Sequence, residues 1–237
     1  MQKILGAMRR AITDYKMIEN GDAIAIGVSG GKDSLALLVG LARLREFCGI
    51  DYRLVALSVD PCFDGNPADY TAITELCRKL DIPHIIQRSN LWEILFVTRK
   101  ESSPCSLCAR MRRGMLHNMA KEAGCNKIAL GHHKDDAVET FVMNLFYEGR
   151  VGCFGPVSYL SRKELTMIRP LCLCHERDII SAARREGLPV MGKTCPVDGA
   201  TSRQKTKEWL LQMEKGDYPG LSGRIFGAMR RGNISRW

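Results

Sequence analysis

The chain has 237 residues, 45% apolar and 26% charged, the balance of a globular protein able to bury one α/β core with a small appendage. No apolar run approaches the roughly 20 residues of a membrane span and no secretory-signal core is evident at the start, so no membrane association and a cytoplasmic location are expected. The net charge of +9, from 35 Lys and Arg against 26 Asp and Glu, suits a polyanionic partner such as RNA or DNA, and ten cysteines point to metal, cluster or catalytic chemistry and away from a disulfide framework.

In chain order, residues 2–18 read as an amphipathic helix, with Ile4, Met8, Ile12 and Tyr15 at helical spacing. Ala23 to Val28 is a continuous apolar run of the kind buried on both faces of a sheet. It breaks at Ser29-Gly30-Gly31-Lys32-Asp33-Ser34 into a helical pattern from Leu35. Tyr52 to Val59 gives a second strand, Ala68 to Leu80 a helix, and Pro83 to Gln87 a third strand. A polar stretch through Arg99-Lys100-Glu101-Ser102-Ser103 shows no period. Pro104-Cys105-Ser106-Leu107-Cys108 opens the helix that runs through Arg110 to Ala123; Lys127 to Leu130 is a fourth strand and Asp135 to Phe146 a helix. Beyond Gly149 the pattern weakens. Thr166 to Arg169 reads as an edge strand, and His175 to Glu186, Thr201 to Met213 and Leu221 to Met229 as helices.

Strands alternating with helices predict right-handed βαβ units and a parallel sheet covered on both faces. Ligands of such sheets lie at the carboxyl ends of the strands, where Ser29 to Ser34 and Gly131 to Asp136 both emerge. No linker or firm boundary interrupts the chain. Residues 1–237 are read as a single domain, with an N-terminal helix to residue 20 and a C-terminal helical extension from residue 200.

The Ser29–Ser34 turn carries most of the chemistry. Two glycines let the backbone turn sharply, while free N–H groups at the helix start, the serine hydroxyls and Lys32 form an anion cradle. Its spacing is not that of the Walker loop. Cys105 and Cys108 can ligate one metal, and a helix start favours the thiolate; a redox dithiol, half a zinc site and part of an iron–sulfur site all fit that pair. A third thiol, Cys195, lies in the loop Thr194-Cys195-Pro196-Val197-Asp198-Gly199. Cys172 and Cys174, which flank Leu173 just after an apparent strand, are the rivals, and a Cys105, Cys108, Cys174, Cys195 set would suit structural zinc. Cys48, Cys77 and Cys125 read as buried thiols, and Cys62 and Cys153 lie in loops with no role assigned.

Ser-Gly-Gly-Lys-Asp-Ser resembles the PP-loop of ATP pyrophosphatases (Rossmann-like, adenine nucleotide alpha hydrolase-like folds). With Cys105-Ser-Leu-Cys108, Arg110-Met-Arg112-Arg113-Gly114, Ile128-Ala-Leu-Gly131-His132-His133-Lys134-Asp135-Asp136, Ile168-Arg169-Pro170-Leu171, the Cys195 loop and Arg203-Gln204, the order is that of the tRNA 2-thiocytidine synthetases (TtcA type). The resemblance runs from Gly21 to Tyr218. It implies ATP with Mg²⁺, a [4Fe–4S] cluster on Cys105, Cys108 and Cys195, tRNA as substrate, a sulfur donor (cysteine desulfurase or free sulfide) and a homodimer. The implied reaction adenylates the oxygen on carbon 2 of the anticodon-loop cytidine at tRNA position 32, after which sulfur is delivered there.

The site residues follow from the matched motifs and, for Arg203 and Lys205, also from the basic cluster Arg203 to Lys207. Ser29, Gly30, Gly31, Lys32, Asp33, Ser34, Gly131 and His132 are expected to bind ATP. Asp33, Arg112, Asp135 and Asp136 are the catalytic candidates; Asp135 could instead cap its helix. Arg110, Arg113, Arg203 and Lys205 are the RNA contacts, unless they line solvated helix faces. Two other functions stay open: a PP-loop enzyme thiolating or adenylating another acceptor, and a zinc-stabilised RNA-binding module with a regulatory nucleotide site.

Overall fold

A computed structural model describes residues 1–98, 104–192 and 202–237, and only the backbone of Phe96, Val97, Pro104 and Cys105. The polar stretch from Arg99 to Ser103 and the loop bearing Cys195 therefore lie outside the described residues, as does Thr201. Six strands, β1 (Asp22–Gly27), β2 (Tyr52–Asp60), β3 (His84–Arg88), β4 (Lys127–Ala129), β5 (Val157–Leu160) and β6 (Leu165–Ile168), form one sheet in the order β3-β2-β1-β4-β6-β5. All neighbours are parallel except β5 and β6. The expected parallel α/β sheet is borne out.

The sheet separates two cores because a strand alternates its faces. Ile24 and Ile26 of β1 enter the larger one, Ala23 and Ala25 the smaller. The larger core packs helices α1 (Gln2–Asp14), α2 (Lys32–Phe47), α3 (Thr71–Lys79), α5 (Lys134–Glu148), α6 (Glu176–Arg185), α7 (Ser202–Lys215) and α8 (Leu221–Arg231). On the opposite face lies α4 (Pro104–Glu122), whose Met119 and Ala120 meet Val55, Leu57 and Ile128.

Element limits depart from the sequence reading for local reasons. Helix α1 stops at Asp14 because the chain turns through Lys16 at φ 48°; Met17 and Ile18 are buried beyond it, which extends the apolar period past the helix. Helix α3 starts late because the Asp60 carboxylate accepts the Ala68 N–H and the Asp69 carboxylate that of Thr71.

One placement is corrected. The strand over Thr166–Arg169 is not an edge: β6 is flanked by β4 on one side and by β5 on the other. The edge on that side is β5, an antiparallel partner in which no position is fully buried, so its sequence carries no apolar run to read. Among the described residues no helix is long and apolar enough to cross a membrane.

Candidate active site

In a parallel sheet each helix that follows a strand starts at the carboxyl edge. The first turns of α2, α4, α5 and α6 carry Lys32 and Asp33, Cys105, Asp135 and Asp136, and Glu176 respectively. The PP-loop joins β1 to α2. Its Gly30 sits at φ +82°, a conformation that costs glycine nothing and a side chain much. Inside the loop the Ser34 hydroxyl donates to the Gly31 carbonyl (2.9 Å) and accepts from the Ser29 N–H (3.2 Å). Gly31 is the N-cap of α2 and no side chain caps that helix, so its first N–H groups are not taken by a capping oxygen. The Met191 N–H donates to the Gly30 carbonyl (3.0 Å), and its thioether fills the space a Cβ at Gly30 would need.

Gly131 closes the site from the next strand. A Cβ there would stand 3.1 Å from the carbonyl carbon of Asp33 and from the Ser34 nitrogen, so the two loops touch backbone to backbone. The residues after it are mainly fasteners. His133 caps α5: its Nδ1 accepts the Asp136 N–H (3.3 Å) while the Asp136 carboxylate accepts the His133 N–H (2.9 Å). Asp135 therefore is not the cap. It accepts the Glu176 N–H at 2.8 Å, tying the start of α6 to this loop. Asp33 keeps one oxygen, Oδ1, buried and without a hydrogen-bond partner, beside His133 Nε2 at 3.8 Å.

His132 points its Nδ1 into a buried space with no hydrogen-bond partner. Burial, with the nearby Arg169 charge adding to it, pushes its pKa down to about 4, so the ring is neutral at physiological pH. Its ring lies 5.0 Å from that of Phe154, over which the Arg169 guanidinium sits at 4.8 Å. Arg169 donates to the Gly155 carbonyl (2.6 Å) and joins the end of β6 to the segment before β5.

Lys32 spans two acids, Asp33 Oδ2 at 3.0 Å and Glu176 Oε1 at 3.1 Å. Burial works to lower its pKa, but Asp33 and Glu176 outweigh it and raise the pKa above its usual value. Glu176 also takes Lys207 of α7 at 2.6 Å. Burial opposes its ionisation, yet Lys207 and Lys32 hold its carboxyl below the usual range. Neither Glu176 nor Lys207 stands out in the sequence, because the ion pairs join three different helices, α2, α6 and α7, which no local spacing brings together.

The basic candidates divide. Arg110, Arg113 and Lys205 are exposed, and Arg112 is half-buried. Burial pushes the Tyr70 phenol up, Asp60 adds to this, and the Arg112 charge opposes it, which puts Arg112 near the end of β2. Arg203 is pinned to α5 by Glu139 Oε2 (3.2 Å) and Thr140 Oγ1 (3.0 Å), with Asp136 Oδ1 at 3.7 Å. Burial and Asp136 raise the Glu139 pKa against the pull of Arg203.

Among the thiols, Cys105 and Cys108 occupy the first turn of α4, three residues apart and so on one face, with Pro104 at the start where a missing N–H is harmless. Cys108 is half-buried against the smaller core. Cys172 and Cys174 lie in the larger core in successive turns, 0% and 2% exposed, and burial pushes each pKa up to about 12. Such thiols stay protonated, and a metal needs the thiolate. Cys77 and Cys125 are buried, as expected, whereas Cys48 is only partly so. Cys153 accepts from the Trp237 indole N–H at 3.4 Å, and Cys62 turns the chain at φ 50° after β2.

Comparison with known proteins agrees with this architecture. A family model for the PP-loop domain matches residues 5–193. The tRNA-cytidine(32) 2-sulfurtransferase of Geobacter sulfurreducens is 39% identical over 236 residues, 98% of this chain and 90% of that protein. Its counterpart from Pelobacter propionicus is 38% identical over 231 residues, 96% of this chain and 85% of that one. Among solved structures, the U34-tRNA thiolase NcsA of Methanococcus maripaludis with its [4Fe–4S] cluster is 24% identical. It covers 96% of this chain and 78% of its own, with a TM-score of 0.77. An NH₃-dependent NAD synthetase from Campylobacter jejuni reaches 0.52 at 17% identity, over 97% of this chain and 91% of its own; both show the shared fold. The chain belongs to the PP-loop family and, within it, to the tRNA-cytidine(32) 2-sulfurtransferases.

Proposed function

We propose that the protein is an ATP-dependent tRNA thiolase that forms 2-thiocytidine at position 32 of the anticodon loop. The observation that carries the reading is the backbone contact between Gly131 and the PP-loop, at the sheet edge where the Cys105–Cys108 turn also begins. A carbonyl oxygen is a poor leaving group, so it must first be activated. The cytidine oxygen on carbon 2 attacks the α-phosphorus of ATP, an O–P bond forms, and the α–β bridge breaks to release pyrophosphate. The first N–H groups of α2, Lys32, Ser29 and Ser34 hold the β and γ phosphates and stabilise that leaving charge. Asp33, one oxygen of which no hydrogen bond claims, is the carboxylate we assign to Mg²⁺.

In the second half-reaction hydrosulfide forms a bond to carbon 2, the carbon–oxygen bond breaks, AMP leaves with the oxygen, and the sulfur loses its proton. No net oxidation or reduction occurs. Cys105 and Cys108, on one face of a helix start that favours thiolates, fit a metal centre and would hold a [4Fe–4S] cluster together with Cys195. When bound, the cluster supplies a Lewis-acidic iron with an open position from which sulfur is delivered. An anticodon loop suits this chemistry because an unpaired base can be splayed into a pocket. Exposed Arg110, Arg113 and Lys205 are the phosphate contacts we assign to tRNA, while Arg203 serves α7 packing.

The test is nucleoside mass spectrometry of tRNA from a strain lacking the gene. Loss of 2-thiocytidine, restored by the wild-type chain and not by Lys32→Ala, is the expected result. Unchanged 2-thiocytidine would refute the assignment. Anaerobically purified protein should be brown, absorbing near roughly 400 nm, with iron and labile sulfide; zinc alone would favour an RNA-binding module.

A further inference from the structure

Glu176 is shared by two lysines from different helices. Lys32 Nζ lies 3.1 Å from one of its oxygens and Lys207 Nζ 2.6 Å from the other. The three side chains are 29%, 33% and 18% exposed for Lys32, Lys207 and Glu176, so the charges are mostly withdrawn from water and act strongly on one another. The backbone of Glu176 is fixed, because its N–H is held by Asp135, so only its side-chain torsions can carry the carboxylate away from the lysines. Helix α7 is held as firmly. Arg203 ties it to Glu139 and Thr140, and Thr206, next to Lys207, is buried.

Joining α6 to α7 needs one lysine on one carboxylate. Here the carboxylate also takes the lysine of the phosphate loop, so two ammonium groups are gathered where a polyanion with two phosphoryl groups would lie. We propose that Lys207 is a second pyrophosphate-binding cation, and that Glu176 is a placeholder anion that keeps Lys32 and Lys207 together until the β and γ phosphates displace it. This inference rests on the adenylation reading above and adds to it a ligand from α7, the helix that follows the Cys195 loop. The part of ATP concerned is the leaving group. AMP, which lacks it, should not register the change.

The test is calorimetric titration of the full-length protein with inorganic pyrophosphate, ATP and AMP in the presence of Mg²⁺. Lys207→Met is expected to weaken pyrophosphate and ATP by about 10–100-fold, the range for loss of one charge-assisted contact, and to leave AMP unchanged. Lys207→Arg, which keeps the charge, should recover most of the affinity. Glu176→Gln should tighten pyrophosphate at least about twofold, since a competing anion is gone. Equal weakening of all three ligands by Lys207→Met marks a merely structural residue and overturns the inference, as does wild-type pyrophosphate affinity in that variant. Weaker pyrophosphate binding by Glu176→Gln overturns the placeholder role. A wild-type protein that binds neither ATP nor pyrophosphate overturns the adenylation reading and this inference together.

Discussion

Gly131→Ala is the sharpest perturbation of the site, because it adds one methyl group where two backbones meet. The new Cβ would stand 3.1 Å from the Asp33 carbonyl carbon and the Ser34 nitrogen, and 3.2 Å from the Asp33 carbonyl oxygen. Comfortable carbon contacts lie at about 3.5–4.0 Å, so one loop must yield by roughly 0.3–0.9 Å. The neighbours are backbone atoms of the phosphate loop and the first turn of α2, with no flexible side-chain end among them. Gly131 is not in a left-handed conformation, so alanine carries no backbone strain there and gains about 0.4–1 kcal/mol from the stiffer unfolded chain. Overpacking costs about 1–3 kcal/mol. The net is a loss of about 1–2 kcal/mol, or roughly 3–6 °C in Tm for a chain of this size. Function should suffer more. A misplacement near 1 Å can cost about 100-fold, so a shift of half that in the phosphate ligands should lower kcat/KM for ATP on the order of tenfold. The assay pairs thermal unfolding with ATP-dependent AMP formation. Gly223→Ala in α8 is the control, for nothing lies within 4 Å of its added Cβ and it should gain stability without loss of activity. Wild-type Tm and ATP kinetics in Gly131→Ala would refute the contact as a determinant of loop geometry.

The other predictions concern ligands, charge and protons. Cys105→Ala, Cys108→Ala and Cys195→Ala should each lose the iron and labile sulfide signal yet bind ATP, whereas Cys172→Ala and Cys174→Ala should keep the cluster; the reverse pattern in anaerobic preparations would identify the wrong thiols. Binding to tRNA that engages about 4–6 phosphates should give a slope of roughly −3 to −5 in log K against log salt, flattened by charge reversal at Arg113, and a slope near zero would exclude RNA. His132 has a folded pKa near 4, below its ordinary value of 6.5. Its contribution to stability is therefore full above 6.5 and lost as pH falls toward 4, by up to about 2–3 kcal/mol. Denaturant midpoints at pH 7.5 and 5.0 should differ more for wild type than for His132→Gln, and equal differences would contradict the burial argument. Asp135→Asn keeps an acceptor for the Glu176 N–H and should retain most activity, while Asp135→Ala loses both stability and activity. Asp33→Asn should abolish AMP formation at wild-type Tm; an inactive Asp135→Asn of normal stability would exchange the two roles.

What could be read from sequence was what local patterning encodes. The alternation of apolar runs and helical periods gives the parallel sheet, and the glycine pair with Lys32 gives an anion cradle at a helix start, because both depend on residues adjacent in the chain. Strand β5 was missed since it lies at the sheet edge and has no fully buried position. Arg203 read as an RNA contact because its sequence neighbours are basic; its partner Glu139 is 5% exposed inside α5, a burial that no spacing announces. Cys172 and Cys174, just after a strand, read as rival ligands on one face, yet successive turns carry both thiols into the core.

The short stretch from Gly131 to Asp136 shows why motif residues resist assignment by type alone. Gly131 spaces the phosphate loop, His133 and Asp136 close the start of α5, Asp135 holds α6, and Asp136 stands 3.7 Å from the Arg203 that fixes α7. Four elements of the site take their positions from four of these six residues. An acidic pair after a strand invites a catalytic reading, but here each carboxylate already accepts a backbone N–H, and a carboxylate committed to a helix start is less available to a metal. Asp33 differs, because one of its oxygens is buried and unclaimed. A buried acceptor without a partner costs about 1–3 kcal/mol, and a fold retains that cost where a ligand supplies the missing contact. We therefore propose that the chemistry of the loop centres on Asp33 and Lys32, and that the two aspartates beyond His133 act by keeping α5 and α6 where that chemistry needs them.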